Sequence, residues 1–251
     1  MLHYEISGNA DKTLVLLHGL MENSHIWDGM QSRLERDFRL VKIDLPGHGK
    51  SELTEEISTV EMMATKVKQV TDELNLTNFY LLGHSMGGYT ALAFAEKWPE
   101  VLAGFSLFFS TYLPDSNEKK ETRRKSFRII EQEYERYVAA GVPMNFHPHE
   151  ADEMEGVVEI AKEMALQTSN LGALAAVKGI MERPNRQSVL QEFQGKILVM
   201  LGRHDSAIDS LATLKGLPDK ANIKAYLLDC AHNGHWERPE ICAEIICREL
   251  K

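Results

Sequence analysis

The sequence predicts an α/β fold: a mostly parallel, doubly wound sheet interrupted by a block of helices. Three observations predict it. Short apolar runs recur along the chain, segments with helical spacing alternate with them, and one long stretch, residues 111–192, has helical patterns but no convincing strand. Several runs are almost uninterrupted rather than alternating, as expected for strands covered on both faces, the situation in a parallel sheet flanked by helices. With 251 residues, 43% of them hydrophobic, the chain is long enough for one large core or a core plus an insertion.

In chain order, the first strand is expected at residues 14–17, followed by a helix over 27–36 and a strand at 40–43. A helix over 60–74 leads to a strand at 79–82, a helix over 86–97 and a strand at 101–107. Strands at 197–201 and 223–228 and a helix over 238–250 complete the alternation of a doubly wound fold. Inside the interrupting block, Phe127, Ile130, Tyr134 and Tyr137 fall on one helical face, and 154–166 and 171–181 have the spacing of further helices. Gly141, Pro143 and Pro148 punctuate the block and Pro184 closes it. The expected division is therefore a core of residues 1–110 and 193–251 and an insertion of residues 111–192. An insertion at the carboxyl ends of parallel strands sits where such sheets bind ligands, which makes it a candidate lid. No internal repeat is present.

Charge and composition narrow the functional classes. A net charge of −9 without a large basic block argues against nucleic acid or an anionic membrane as partner, leaving a small-molecule substrate. The start, MLHYEISGNADK, lacks a basic segment followed by an apolar run, and no stretch approaches the length of a membrane span, so a cytoplasmic protein is expected. Cys230, Cys242 and Cys247 are odd in number and lack CxxC spacing, which suits buried thiols rather than a disulfide framework or a zinc site. Oligomeric state has no signature.

One turn carries chemistry. Gly83, Ser85 and Gly87 form GxSxG, with a further glycine at Gly88, where a strand gives way to a helix. A turn that tight leaves no room for side chains at 83 and 87, pushes the serine hydroxyl outward and points the N–H of Met86 at the same space, with the positive end of the helix behind it. A glycine-rich turn with an incidental serine would look the same in isolation. A serine hydroxyl is a weak nucleophile, so it needs a base and an orienting carboxylate. Asp205 follows the strand at 197–201 in "LGRHDSAID", and His232 follows the strand at 223–228 in "CAHNGHWERPE".

GHSMGG, GRHD and AHNGHWERPE in that order, with "LLHGL" near the start and "DLPGHGKSE" after the next strand, resemble the alpha/beta-hydrolase superfamily over nearly the whole chain apart from the insertion. The resemblance implies the alpha/beta-hydrolase fold with a helical cap after the sixth strand, and a short N-terminus implies that the first strand of larger members is absent. It also implies Ser85 as nucleophile, His232 as base, Asp205 as acid, and an oxyanion hole from the N–H groups of Leu20 and Met86. His235 rivals His232, but the usual pattern puts a glutamate five residues after the base, and Glu237 fits His232. Asp209 rivals Asp205 but is expected one turn into a helix.

Other polar residues receive structural readings. His18 is expected to hold its loop in shape, and Asp44, Gly47, His48, Gly49 and Ser51 to form a hydrogen-bonded turn. The cluster "HPHEADE", residues 147–153, has metal-capable side chains but reads as a solvated loop, so no metal is expected. Ala231 stands where glycine commonly precedes the histidine. Met21 and a serine nucleophile separate the chain from dehalogenases and epoxide hydrolases of this fold, which favour HGxP and an aspartate.

The implied reaction is ester hydrolysis through an acyl-enzyme, which needs no cofactor. Phe108, Phe109, Tyr112, Leu113, Met144 and Phe146 are the candidate pocket residues, with lid packing as the competing assignment. Carbon-carbon bond hydrolases and a menaquinone-pathway lyase resemble this chain as well. The lyase handles an anionic substrate, but Arg123, Arg124 and Arg128 sit among Glu118, Glu121 and Glu131 and read as the wet face of a helix. A ligand-sensing member with an intact triad and slow turnover is the alternative outside catalysis.

Overall fold

A computed structural model describes residues 1–150 and 152–251. Seven strands, β1 (Tyr4–Ser7), β2 (Thr13–Leu17), β3 (Arg39–Ile43), β4 (Phe79–His84), β5 (Leu102–Phe108), β6 (Lys196–Gly202) and β7 (Ile223–Leu228), form one sheet in the order β1-β3-β2-β4-β5-β6-β7. Only β1 runs antiparallel, pairing with β3 from Tyr4 opposite Ile43 to Ser7 opposite Leu40. It is absent from the expected strands because, as an edge strand, it is only half covered and has no apolar run to betray it. The central strand β4 is buried at every position, as expected for a strand with helices on both faces.

The helices of the core are α1 (Asp28–Leu34), α2 (Val60–Glu73) and α3 (Met86–Lys97). Between β5 and β6 come α4 (Asn117–Gln132), α5 (Tyr134–Gly141), α6 (Glu155–Gln167), α7 (Asn170–Met181) and α8 (Gln187–Glu192). After β6 the chain forms α9 (Ser210–Lys215), α10 (Gly234–Glu237) and α11 (Pro239–Leu250). The helical insertion thus leaves the fifth strand of this chain. That is the sixth in a count that includes a leading strand not found among the described residues.

Side chains alternating across the sheet divide the interior in two. Val15, Val41, Leu81, Phe105 and Val199 pack against α2 and α3 on one side, and Leu14, Leu40, Leu82, Leu198 and Met200 pack with Trp27, Phe38 and the apolar face of α11 on the other. A third cluster, with Ile130, Val138, Phe146, Ala165 and Val177, lies within the insertion. The single helical face expected over Phe127 to Tyr137 is divided between α4 and α5, because Glu133 leaves helical geometry at φ −139°. All three cysteines are free and buried. No helix among the described residues is long and apolar enough to cross a membrane.

Candidate active site

The serine turn has the predicted shape. Ser85 sits at φ 47° and ψ −109°, a region that L residues avoid and that costs on the order of 1–3 kcal/mol, so the surroundings must hold it. They do so through bare backbone. A Cβ on Gly83 would stand 2.1 Å from the carbonyl of Gly87, and one on Gly87 would stand 2.4 Å from the Leu17 carbonyl oxygen. The Ser85 N–H donates to Phe108 O at 3.1 Å, and Ser110 Oγ donates to Ser85 O at 2.8 Å.

The loops after β6 and β7 bring Asp205 and His232 to this turn. His232 Nδ1 lies 2.8 Å from Asp205 Oδ2, and Ser85 Oγ lies 2.9 Å from His232 Nε2. A carboxylate only accepts, so the proton is on Nδ1, and Nε2 is left to accept from the serine. Asp205 Oδ1 accepts from the N–H groups of Ala207 and Ile208, both at 2.8 Å, which aims the other oxygen at the imidazole. Glu237 fixes the histidine loop by accepting from Ala231 N at 2.9 Å and Asn233 N at 3.2 Å. A hydroxyl in this chain can surrender its proton to the imidazole while the carboxylate stabilises the resulting charge.

The rival residues have other work. His235 is fully buried and touches neither Ser85 nor Asp205 by hydrogen bond; burial and the neighbouring His84 hold its pKa well below the usual histidine value. Asp209 is not inside a helix: it caps α9, accepting from Ala212 N at 2.9 Å. His18 accepts from Leu45 N at 2.8 Å and donates through Nδ1 to Gly19 O at 2.7 Å, bracing the loop that carries Leu20. Asp44 gathers the following turn, accepting from Ser24 N and Lys50 N while its own carbonyl accepts from Ser51 Oγ.

A second histidine–carboxylate pair stands behind the first. Glu22 Oε2 lies 2.8 Å from His84 Nδ1 and accepts from Gly19 N at 2.6 Å, and His84 Nε2 lies 3.1 Å from the His232 carbonyl oxygen. Burial opposes the charge on each partner, but the pairing outweighs it: Glu22 is lowered to about 2 and His84 is raised. Sequence reasoning missed this pair, since nothing in the chain links residues 62 apart.

Ser85 and His232 open into a cavity of about 200 Å³ whose wall includes Leu20, Glu22, Tyr89, Lys119, Arg123 and Tyr137. None of the six expected pocket side chains lines it. Phe108 and Phe109 are buried at the end of β5 with Trp27, Tyr112 is buried with its hydroxyl donating to Thr213 O at 2.9 Å, and Leu113 packs at the edge of the same cluster. Met144 points into solvent and Phe146 stacks on Trp236 at 5.8 Å. Apolar identity was their only signal, and the core claims such side chains first. The insertion instead reaches the site through Lys119, Arg123 and Tyr137 and through its backbone, where Asn145 O accepts from His232 N at 3.1 Å and Met144 O from Ser206 Oγ at 2.7 Å.

Arg123 departs from the expected wet face, whereas Arg124 and Arg128 are exposed as expected. Arg123 turns inward and donates from Nε to the fully buried Asp115 carboxylate at 2.5 Å, which Arg183 also approaches at 2.9 Å and Lys119 at 4.0 Å. Burial raises the pKa of Asp115, but Arg123 and Arg183 outweigh it and bring it below the usual carboxylate value. Burial, with Arg123 nearby, lowers that of Lys119. Within "HPHEADE", the His147 and His204 rings meet at 4.2 Å and His204 Nε2 lies 2.9 Å from Asp229 Oδ1; Ala151 in that cluster lies outside the described residues.

The sequence model of the alpha/beta hydrolase fold matches residues 12–239. The chain belongs to the alpha/beta hydrolase family. Among curated relatives of this alpha/beta hydrolase, the 2-hydroxy-6-oxononadienedioate/2-hydroxy-6-oxononatrienedioate hydrolase of Escherichia coli (strain K12) is 25% identical over 269 residues, covering 99% of this chain and 90% of that protein. Among solved structures, a thermophilic esterase from Thermogutta terrifontis superposes with a TM-score of 0.91 at 28% identity, covering 99% of this chain and 92% of the esterase. The enol-lactonase from Burkholderia xenovorans LB400 superposes at 0.90 with 23% identity, covering 99% and 96%, and speaks for the fold alone.

Proposed function

We propose that this alpha/beta hydrolase is a serine hydrolase that cleaves small carboxylic esters through an acyl-enzyme. The observation that carries the reading is the hydrogen-bonded chain from Ser85 Oγ through His232 to Asp205, opening on a cavity of about 200 Å³. Ser85 Oγ attacks the ester carbonyl carbon as its proton passes to His232 Nε2. The N–H groups of Leu20 and Met86 receive the developing oxyanion, an interaction typically contributing about 3–4 kcal/mol for one donor. Met86 opens α3, where its N–H has no acceptor in a preceding helical turn. His232 then protonates the departing alkoxide, and the alcohol leaves. Water attacks the acyl carbon, giving its proton to His232, and the acid departs as that proton returns to Ser85 Oγ.

Turnover of short p-nitrophenyl esters, with intact-mass detection of a fluorophosphonate adduct, tests the reading. Ser85→Ala is expected to lose the adduct and about 10⁴-fold or more of kcat. An adduct without turnover on the wild type would point to carbon-carbon cleavage, a lyase or ligand sensing. No adduct on the wild type would overturn Ser85 as an activated nucleophile.

Carbon-carbon bond hydrolysis with the same residues is the second reading. The curated relative supports it, since its named substrates are dioates, and Lys119 and Arg123 put cationic groups in the cavity of this chain. Release of product from 2-hydroxy-6-oxononadienedioate, compared with a short ester, separates the two.

A further inference from the structure

We infer that Lys119 and Arg123 form a carboxylate-recognition subsite, so that the substrate is a short acyl compound bearing a free carboxylate of its own. The inference rests on the serine-hydrolase reading for the bond that is cleaved, but the subsite itself is a binding claim with its own test.

Lys119 and Arg123 are four residues apart, so they project from the same face of α4, and both line the cavity into which Ser85 opens. Like charges at that spacing destabilise a helix. The buried Asp115 carboxylate is a local reason to turn them inward, but a single carboxylate faces both cations, and uncompensated charge of that kind concentrates at functional sites. Asp115 compensates only in part. Lys119, Arg123 and Arg183 all approach its single carboxylate, which leaves an excess of two positive charges beside the cavity.

The bonding within the cluster leaves donors free. Asp115 engages Nε of Arg123, and among the described residues the two terminal guanidinium nitrogens donate to no protein acceptor. A guanidinium presents those nitrogens as a planar fork that matches a carboxylate. Lys119 Nζ donates to Ala207 O and retains further N–H groups. The acidic group in the cavity wall, Glu22, is paired with His84 and does not oppose an incoming anion. At about 200 Å³ the cavity is smaller than the roughly 300–1,000 Å³ of sites for drug-sized ligands, which restricts the acyl part to a few carbons.

Two methyl esters of matched shape test the inference: monomethyl succinate and methyl 4-methylpentanoate, in which an isopropyl group replaces the carboxylate, both followed by titrating the acid released. The wild type is expected to favour the succinate ester in kcat/KM by about tenfold or more. Arg123→Gln and Lys119→Gln should each reduce that ratio about tenfold. Arg124→Gln, which removes the same charge from an exposed site on α4, should leave the ratio in place. A wild-type ratio at or below one, or a ratio that survives both inward substitutions, overturns the subsite. Should Arg123→Gln fail to fold, Lys119→Gln carries the same comparison.

If neither ester turns over, calorimetric titration of Ser85→Ala with succinate decides the question. Binding weakened about tenfold by either inward substitution upholds the subsite while the ester reading falls, and no succinate binding overturns the subsite. The fluorophosphonate adduct reports separately on Ser85.

Discussion

Two histidine–carboxylate pairs lie side by side in this site, their imidazole rings 4.9 Å apart, and their difference rests on what each second ring nitrogen faces. His232 has Asp205 on one nitrogen and a hydroxyl on the other. A hydroxyl can donate, so this ring is free to be neutral and to take up a proton. His84 has Glu22 on one nitrogen and the His232 carbonyl on the other. Both of those groups only accept, so the two contacts call for a proton on each nitrogen of His84, and the pairing with Glu22 favours that charged form. The same pair of side chains thus makes a proton acceptor in one place and a fixed ion pair in the other. The fixed pair also ties two loops together, because Glu22 holds Gly19 N next to Leu20 while His84 holds the backbone of the other histidine.

The largest expected effect breaks the first pair. Asp205→Asn should leave the fold intact but lower kcat about 10⁴-fold, because an amide can present its NH₂ and favour the wrong histidine tautomer. That is about 5.5 kcal/mol of barrier. Glu22→Gln should divide its effect differently. Removing one partner of a buried ion pair typically costs about 3–5 kcal/mol of stability, readable as a lower denaturation midpoint, while kcat falls less than in Asp205→Asn. If Glu22→Gln instead abolished turnover with stability unchanged, the two pairs would have to exchange roles.

The fixed pair should also mark the pH dependence of stability. His84 is raised by folding, so its contribution is complete below the unfolded histidine value, about 6.5, and fades as pH rises through the folded one. Glu22 is lowered from 4.5 to about 2, so its contribution is complete above 4.5 and fades as pH falls toward 2. The stability gap between wild type and Glu22→Gln should therefore be widest between about pH 4.5 and 6.5, measured by urea unfolding across pH. A gap no wider inside that window than on either side of it, or widest above pH 8, would remove the charge from His84.

The contrast also explains what the sequence could reveal. The sheet is legible because β2 to β7 are apolar runs set between turns, and the meeting of Ser85, Asp205 and His232 is legible because each directly follows a strand of one sheet. Parallel strands deliver their carboxyl ends to one edge, so position in the chain becomes position in space. Glu22 and His84 obey no such rule, since a glutamate three residues past a glycine and a histidine beside a serine acquire meaning only when the loops fold against each other. The cavity wall was hidden for another reason. Its cations lie on a helix of charged residues, where inward and outward faces differ by one position, as Arg123 and Arg124 do, and only the packing of α4 against α7 decides between them.

The smallest effect concerns a carboxylate with no histidine at all. Asp209 is four residues from Asp205 and carries the same side chain, but it is exposed and its oxygen accepts from Ala212 N at the start of α9. Asp209→Ala removes a helix cap, which costs about 1 kcal/mol, and α9 has only six residues over which to absorb the loss. The cap does not touch His232, and Asp205 is held by the N–H groups of Ala207 and Ile208, which precede the helix. A modest fall in the unfolding midpoint with kcat/KM within about twofold of wild type is therefore expected, against the roughly 10⁴-fold loss for Asp205→Asn. A large loss of turnover from Asp209→Ala would mean that the orientation of Asp205 depends on α9 as a whole and not on those two N–H groups.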